Sequence, residues 1–237
     1  VLTEADSHLG LTNRMLAPFA RRVCLAFPLR GREGGRYRVT GRPVPAPAHD
    51  RLGARERLGI GAEETCVLVF GGSLGARSIN QAAAEAFSGS GSFRVLHIAG
   101  TRDFPELSAR TLPPGYDLRE YLREDDFADA LAAADLAVAR SGGSVFEIAA
   151  HGVPAILVPY PYAAGDHQSA NARWMADAGA AVVIADGELT SATLARAVAE
   201  LLADRTALAA MAAASRRLAR PEAAREVAHE LLEVARG

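Results

Sequence analysis

Residues 139–171 read ARSGGSVFEIAAHGVPAILVPYPYAAGDHQSAN. Leading into this stretch, residues 135–139 (DLAVA) form an apolar run of buried-strand length. The run breaks at Ser141-Gly142-Gly143-Ser144, and residues 145–150 (VFEIAA) resume at helical spacing. Residues 154–158 (PAILV) predict the next strand, and Asp166-His167-Gln168 predict a polar loop ahead of a helix starting at Asn171. Strand, glycine turn, helix and strand in this order make one βαβ crossover, which places the chain in the α/β class.

The turn carries the chemistry. A helix start offers unpaired backbone N–H groups and the positive end of the macrodipole, and glycines let an anion approach the backbone closely. The predicted ligand is a phosphate or diphosphate. Glu147 falls one turn into the helix, where a carboxylate can accept hydrogen bonds from a vicinal diol such as a ribose. A nucleotide satisfies both features. The bland alternative is that the glycines are turn chemistry and Glu147 a solvated charge. What favours the ligand is convergence: the glycines, the carboxylate and the Asp-His-Gln cluster all fall where α/β sheets bind small molecules.

Upstream, residues 65–70 (TCVLVF) are a continuous apolar strand, expected to be central. The strand ends in Gly71-Gly72-Ser73-Leu74-Gly75-Ala76, and a helix is predicted over 76–87. This second strand-glycine-helix unit lacks GxGxxG spacing and has no acidic residue about 20 positions on, so a dinucleotide fingerprint is not supported. The Ser73 hydroxyl is a phosphate candidate whose plainer role is a helix N-cap. Further strands are predicted at 93–100 and 116–121, with helices at 50–58 and 126–134. His97 reads as a satisfied core histidine and Trp174 as packing.

Downstream, a strand at 180–184 precedes helices at 191–202 and 205–218. A last amphipathic helix follows Pro221, with Ala224, Val227, Leu231 and Val234 on the face expected to pack on the body. Toward the N-terminus, a loop at 7–11 and a helix at 12–20 precede strands at 22–27 and 37–40. Residues 41–47 (GRPVPAP) are proline-rich and extended, as a hinge would be. The summed pattern is a doubly wound parallel sheet with helices on both faces.

A chain of 237 residues allows one large domain with appendages. A net charge of −2 gives no global reason to expect nucleic acid, and Arg21-Arg22 and Arg216-Arg217 read as solvated faces. Cys24 and Cys66 lie in apolar runs without CxxC spacing or neighbouring histidine ligands, so they read as small buried hydrophobes in a reducing cytosol. No run approaches the roughly 18 apolar residues of a membrane span, and no signal-peptide pattern is found, so any membrane contact is expected to be peripheral. Val1 is not a methionine, and residues 1–4 read like the end of a strand, which predicts that part of a larger protein precedes them.

These motifs in combination resemble the MurG family. The residues that carry the likeness are Gly71-Gly72-Ser73-Leu74-Gly75-Ala76-Arg77-Ser78-Ile79-Asn80, Arg140-Ser141-Gly142-Gly143, Glu147, residues 154–159, Asp166-His167-Gln168 and Asn171-Ala172. The resemblance runs from Gly10-Leu11-Thr12-Asn13 to the last helix. It implies a GT-B glycosyltransferase that moves N-acetylglucosamine from its UDP donor to a lipid-linked muramyl-pentapeptide in peptidoglycan synthesis. It further implies that residues 1–45 are a remnant of an N-terminal acceptor domain with the hinge, that 46–218 are the UDP-sugar donor domain, and that 219–237 are a helix packing back toward the first.

On this resemblance Glu147 binds the ribose, and Gly142, Gly143, Ser144 and Val145 present amides to the diphosphate, joined by Gly72, Ser73 and Gly75 from the first glycine loop. Leu122 reads the uracil through its backbone, and Asp166, His167 and Gln168 line the donor sugar. Asp6, Arg42 and Asn80 are secondary donor-site candidates. Asp6 stands where the family has an asparagine. Arg42 and Pro45 replace the Asn and Arg of the family's hinge motif, and Leu74 replaces a glutamine. The segment between Tyr121 and Phe127 is about two residues longer than the family pattern.

The implied mechanism is an inverting displacement without metal or other cofactor, and no catalytic residue is assigned within this chain. The acceptor and the base are expected from the upstream domain, with the full-length protein peripheral on the cytoplasmic face of the cell membrane. Rival readings are another GT-B enzyme acting on a UDP-sugar (a glycolipid or natural-product glycosyltransferase, or an epimerase), a donor-binding subunit of a split transferase, and a Rossmann oxidoreductase, the last disfavoured by the glycine spacing.

Overall fold

The computed structural model describes residues 1–89 and 91–236. Its elements in chain order begin with β1 (Leu2–Glu4), α1 (Leu11–Leu16), β2 (Val23–Leu25), β3 (Tyr37–Val39), α2 (Arg51–Arg57), β4 (Cys66–Phe70) and α3 (Arg77–Ala86). Next come β5 (Arg94–Ile98), α4 (Phe104–Ser108), β6 (Tyr116–Arg119), α5 (Glu124–Ala133), β7 (Leu136–Ala139), α6 (Val145–His151) and β8 (Ala155–Leu157). The chain closes with α7 (His167–Asp177), β9 (Ala181–Val183), α8 (Ser191–Ala203), α9 (Arg205–Leu218) and α10 (Ala223–Arg236).

Six parallel strands form the main sheet in the order β6-β5-β4-β7-β8-β9. Numbered from β4, this is the doubly wound order 3-2-1-4-5-6, in which the direction of strand succession across the sheet reverses at its two central strands. The central pair is β4 and β7, aligned Val67 to Leu136 through Phe70 to Ala139. Both glycine loops therefore open at the switch point, the place where such sheets bind ligands.

The β4 sequence CVLVF shows why this strand is central, since all five residues are buried. Cys66, Leu68 and Phe70 face one layer with Leu131, Ile148 and Met175, while Val67 and Val69 face Ile79, Leu194 and Val198 on the other. Helices α2, α5, α6 and α9 pack together, and α3 packs on α8. A strand buried on both faces loses the polar alternation of a surface strand, and each fully buried Leu or Val contributes about 1.5–3 kcal/mol.

A second, three-stranded parallel sheet has the order β1-β2-β3. Phe27, just after β2, joins the main core, with its ring 4.7 Å from Phe146 and 5.1 Å from Trp174. Residues 41–50 carry no regular secondary structure.

The elements depart from the sequence expectation in several places. The first helix is Leu11–Leu16 followed by a 3-10 turn at Ala17–Phe19, because Pro18 cannot continue the α-helical bonding. Helix α4 was not expected; Pro105 in its first turn reads as a breaker although it is tolerated there. Helix α5 begins at Glu124, with Glu124, Asp125 and Asp126 in its first turn. Helix α7 begins at His167 after a 3-10 turn, Ala164–Asp166, so His167 and Gln168 are helical and Asn171 lies inside the helix. In α10, Ala224 and Leu231 are exposed, and the inward face carries Ala223 and Glu230. Glu230 pairs with Arg22 at 2.7 Å and Arg38 at 3.4 Å, so charge as well as apolar contact sets that face.

Candidate functional site

At the carboxyl end of β4 and β7 lies a cleft of about 930 Å³, lined by both glycine loops, Arg42, Arg77, Arg102, Arg140, Glu147, Tyr160, Gln168 and Asp186. An adjoining lobe of about 410 Å³ is lined by Pro45, Phe70, Ile98, Tyr121, Leu122 and Phe127. Gly72, Ser73, Ser144 and Glu147 belong to both, so they stand at the junction.

The loop after β7 leaves amides free. Among the described residues the N–H groups of Gly142, Gly143 and Ser144 donate to no backbone carbonyl, whereas those of Val145 and Phe146 donate back to Gly142 (3.3 Å) and Gly143 (3.2 Å). Val145 is therefore corrected: its amide closes the turn, and its buried side chain belongs to the core. Gly143 has no Cβ because Arg42 occupies that space; a Cβ there would lie 2.5 Å from the guanidinium carbon. Three amides without a backbone acceptor lie on one loop with a guanidinium packed against it, the chemistry an anion needs.

Glu147 stands one turn along α6 and is half-buried. Among the described residues its carboxylate makes no hydrogen bond or ion pair. Burial raises its pKa above the ordinary carboxylate value; Arg42 opposes that shift and Glu124 adds to it. A half-buried carboxylate without a partner is a costly feature for stability alone, and it suits an incoming diol.

The first glycine loop is held rigidly. Gly75 has φ +81° and donates to the Gly72 carbonyl at 2.9 Å; a Cβ on Gly75 would collide with the Ala99 carbonyl, so this position requires glycine. Ser73 does not cap α3, whose N-cap is Ala76 without a side-chain hydrogen bond, which leaves its hydroxyl for the cleft. Leu74 is exposed at the cleft wall.

The remaining candidates divide. Leu122 lines the apolar lobe, and residues 124–126 form the first turn of α5. Gln168 reaches the cleft, and its Oε1 accepts from the Tyr160 amide at 2.9 Å. Asn171 donates to the Ser141 carbonyl (3.0 Å) while the Ser141 hydroxyl donates to the Gln168 carbonyl (2.7 Å), which locks α7 to the glycine loop after β7. Asp166 and His167 are not among the lining residues. Asp166 is exposed with φ +54°, and the His167 ring bonds the Ala164 carbonyl and stacks 6.2 Å from His8. Asp6 likewise stays outside the cleft, in a loop organised by the Glu4 carboxylate. Burial works to raise the Glu4 pKa, but hydrogen bonds from Asn13 and the Gly10, Asp6 and Ala5 amides hold it below its ordinary value.

Asn80 is corrected as well. It is fully buried and bonded to the Ala99 carbonyl, Asp103 and His97, so it cannot touch a ligand. Sequence reasoning missed Arg102, Tyr160 and Asp186, and it quoted Arg77, Ser78 and Arg140 without giving them roles. Arg140 binds Asp186 at 2.6 Å, the Ser78 hydroxyl at 2.8 Å and the carbonyls of Val158 and Pro159, tying β7, β8 and α3 together under the cleft. The signal available for Arg140 was position: it immediately follows β7, whose carboxyl end opens on the site.

Two glycine loops at the switch point of a doubly wound sheet, with an apolar lobe and a free carboxylate between them, define a donor-type domain of a GT-B glycosyltransferase. Residues 66–229 match the family model described as glycosyltransferase family 28 C-terminal domain. The chain belongs to this family, in its MurG branch. A UDP-N-acetylglucosamine--N-acetylmuramyl-(pentapeptide) pyrophosphoryl-undecaprenol N-acetylglucosamine transferase from Halorhodospira halophila is 42% identical over 241 residues, covering 100% of this chain and 67% of the relative. The enzyme of the same description from Rubrobacter xylanophilus is 42% identical over 240 residues, covering 98% and 69%. The crystal structure of Acinetobacter baumannii MurG superposes with a TM-score of 0.75 at 29% identity, covering 98% of this chain and 65% of that one. The chain thus spans about two thirds of the length of the proteins it matches.

No helix among the described residues is long and apolar enough to cross a membrane.

Proposed function

We propose that this chain provides the donor half of an inverting transfer of N-acetylglucosamine from UDP-N-acetylglucosamine to a lipid-linked muramyl-pentapeptide, the step from lipid I to lipid II. The observation that carries the reading is the free Glu147 carboxylate one turn from the free amides of Gly142, Gly143 and Ser144, with an apolar lobe on its other side. In that order the site suits a base in the lobe at Leu122 and Phe127, a ribose on Glu147, a diphosphate on the amides with Ser73 and Arg42, and a sugar toward Gln168.

In the reaction the acceptor hydroxyl attacks the anomeric carbon, the bond to the diphosphate oxygen breaks, and UDP departs with the electron pair. In this reading Arg42 and the loop amides stabilise the charge that develops on the leaving oxygen. We assign the donor site no metal: its acidic groups are Glu147, assigned to the ribose, Glu124 in the adjoining lobe, and Asp186, bound to Arg140. Among the described residues no group of three His, Cys, Asp or Glu side chains is placed to hold an ion. The acceptor site and its general base are assigned to the third of the relatives' length that this chain does not match, and the working location to the cytoplasmic face of the membrane as a peripheral protein.

Calorimetric titration with UDP-N-acetylglucosamine, UDP-glucose and UDP, repeated for Glu147→Ala, tests the reading. Saturable UDP binding, weakened by the substitution and tighter for the N-acetylglucosamine donor, is expected. A folded chain that binds none of the three would overturn it, and a preference for UDP-glucose would move the assignment to another donor sugar.

A further inference from the structure

At the amino ends of β7 and β8, away from the cleft, a second cavity of about 590 Å³ is lined by Asp135, Pro154, His151 and the hinge residues Pro47, Ala48 and His49. His151 is the last residue of α6, the helix that carries Glu147. Its Nδ1 lies 2.8 Å from the Glu147 carbonyl, and its Nε2 lies 3.1 Å from the Ala48 amide nitrogen. A backbone N–H can only donate, so Nε2 is the acceptor and the ring proton sits on Nδ1, where it serves the carbonyl. The ring is neutral, with both nitrogens used.

The hinge has little else to hold its backbone. From Arg42 to His49, among the described residues, the Ala48 N–H is the one backbone group with a hydrogen bond. Pro43, Pro45 and Pro47 fix φ at every second position, which makes the segment a stiff, extended spacer. At its far end Arg42 packs its guanidinium against Gly143, and midway Pro45 lines the apolar lobe. Where Ala48 is anchored therefore bears on where both of them stand.

We propose that His151 is a positioning residue for the donor site: as a neutral acceptor it latches the hinge to α6 and so holds Arg42 at Gly143, and as an imidazolium it releases the hinge. The inference rests on the donor reading above and deepens it by naming the group that governs the Arg42 cation. On protonation Nε2 gains an N–H that confronts the Ala48 N–H, and the bond is lost. The charged and titratable groups that share the cavity are His49 from the hinge, Arg51 from α2, Asp135 ahead of β7, and Arg205 and Arg216 from α9. The one acid among them, Asp135, already pairs with Arg51 at 2.7 Å and Arg55 at 2.8 Å, so it is committed elsewhere. Burial lowers the His151 pKa below its ordinary value; the bond to the Glu147 carbonyl opposes that shift and His49 adds to it. The latch is closed at neutral pH and opens as the pH falls below the ordinary histidine value of about 6.5 toward the folded one.

The test is calorimetric titration with UDP-N-acetylglucosamine, whose diphosphate diester does not titrate near neutrality, over about pH 5 to 8. Wild type, His151→Gln and His151→Phe are compared, each with and without Arg42→Ala. At the alkaline end His151→Phe is expected to weaken binding by about fivefold, the scale of one neutral hydrogen bond. His151→Gln, whose side-chain oxygen reaches the Nε2 position, rescues it. On acidification wild type loses affinity faster than His151→Gln, because Glu147 titrates in both and cancels in the ratio. With Arg42→Ala the three side chains at position 151 bind the donor alike. A ratio of wild type to His151→Gln that is flat with pH overturns the proposal. So does a folded His151→Phe that binds as wild type does, or a loss in His151→Phe that persists in full with Arg42→Ala. Those results leave the donor reading standing, whereas a wild-type chain that binds no donor at any pH defeats that reading and the latch with it.

Discussion

The guanidinium of Arg42 rests on the backbone of Gly143, in the space a Cβ at that position would fill. The hinge segment thereby delivers a cation to the loop after β7 from outside the main sheet. Gly143→Ala and Arg42→Ala are both expected to weaken UDP binding by about tenfold, the scale of a lost charge-assisted hydrogen bond. Because the first acts by expelling the second, the double variant loses little more than either alone. Fully additive losses in the titration would separate the two residues.

Glu147 sets binding against stability. Burial raises its pKa, opposed by Arg42 and aided by Glu124, so the folded protein resists the charged form. For a carboxyl raised in this way the penalty is present above the folded pKa and is relieved as the pH falls through it toward the unfolded value. Glu147→Gln is therefore expected to raise the melting temperature at pH 7 and to weaken UDP by about tenfold, since the amide loses two-oxygen acceptance from the diol. Wild-type UDP affinity falls on acidification before ordinary surface carboxylates protonate. A substitution that lowers the melting temperature contradicts this account of Glu147.

The chain of His97, Asn80 and Asp103 has its own pH signature. Burial pushes the His97 pKa down to about 4, so the ring is neutral in the fold. A depressed histidine contributes stability that is complete above its unfolded pKa of about 6.5 and is lost as the pH falls from there toward the folded value. The difference in stability between wild type and His97→Phe should shrink over that window. Asn80→Ala strands His97 Nε2 and one bond to Asp103 and costs about 1–3 kcal/mol in urea unfolding for each stranded group. A pH-independent difference would mean that His97 is charged or solvated.

The sequence made the backbone of this site legible and left most of its side-chain wiring hidden. Strand β4 is a run of five apolar residues, and the glycine breaks after it and after β7 are local signals that need no tertiary knowledge. Glu147 could be singled out because its place one turn along α6 follows from helical spacing after those glycines. Arg102 carried no such signal: its place at the cleft wall depends on Asp103 and Asn80, contacts made across 23 positions of chain between the latter two. Asn80 misled for the opposite reason, since it sits in a ligand-binding motif but points inward. Asp166 and His167 were expected in a loop ahead of Asn171, whereas the 3-10 turn at Ala164–Asp166 runs directly into the helix at His167.

Arg55 is the residue whose importance no local pattern announces. It lies inside α2, 2% exposed, where its guanidinium donates to the carbonyls of Gly61, Ala62, Glu64 and Ala133 and to Asp135 at 2.8 Å. Asp135 also accepts from the Cys66 amide at 2.8 Å and pairs with Arg51 at 2.7 Å, so one guanidinium ties the starts of β4 and β7 together beneath the site. Arg55→Leu removes the donor to the Ala62, Glu64 and Ala133 carbonyls, while the Gly61 carbonyl keeps the Glu64 amide, and it takes from Asp135 its buried partner; it is expected to cost about 3–5 kcal/mol. Arg55→Lys recovers little of this, because one ammonium cannot span acceptors that the planar fork reaches on both edges. Urea unfolding of the two variants measures it. A lysine variant as stable as wild type would mean that charge alone holds the two strands, and the fork geometry would then have no part in placing the glycine loops.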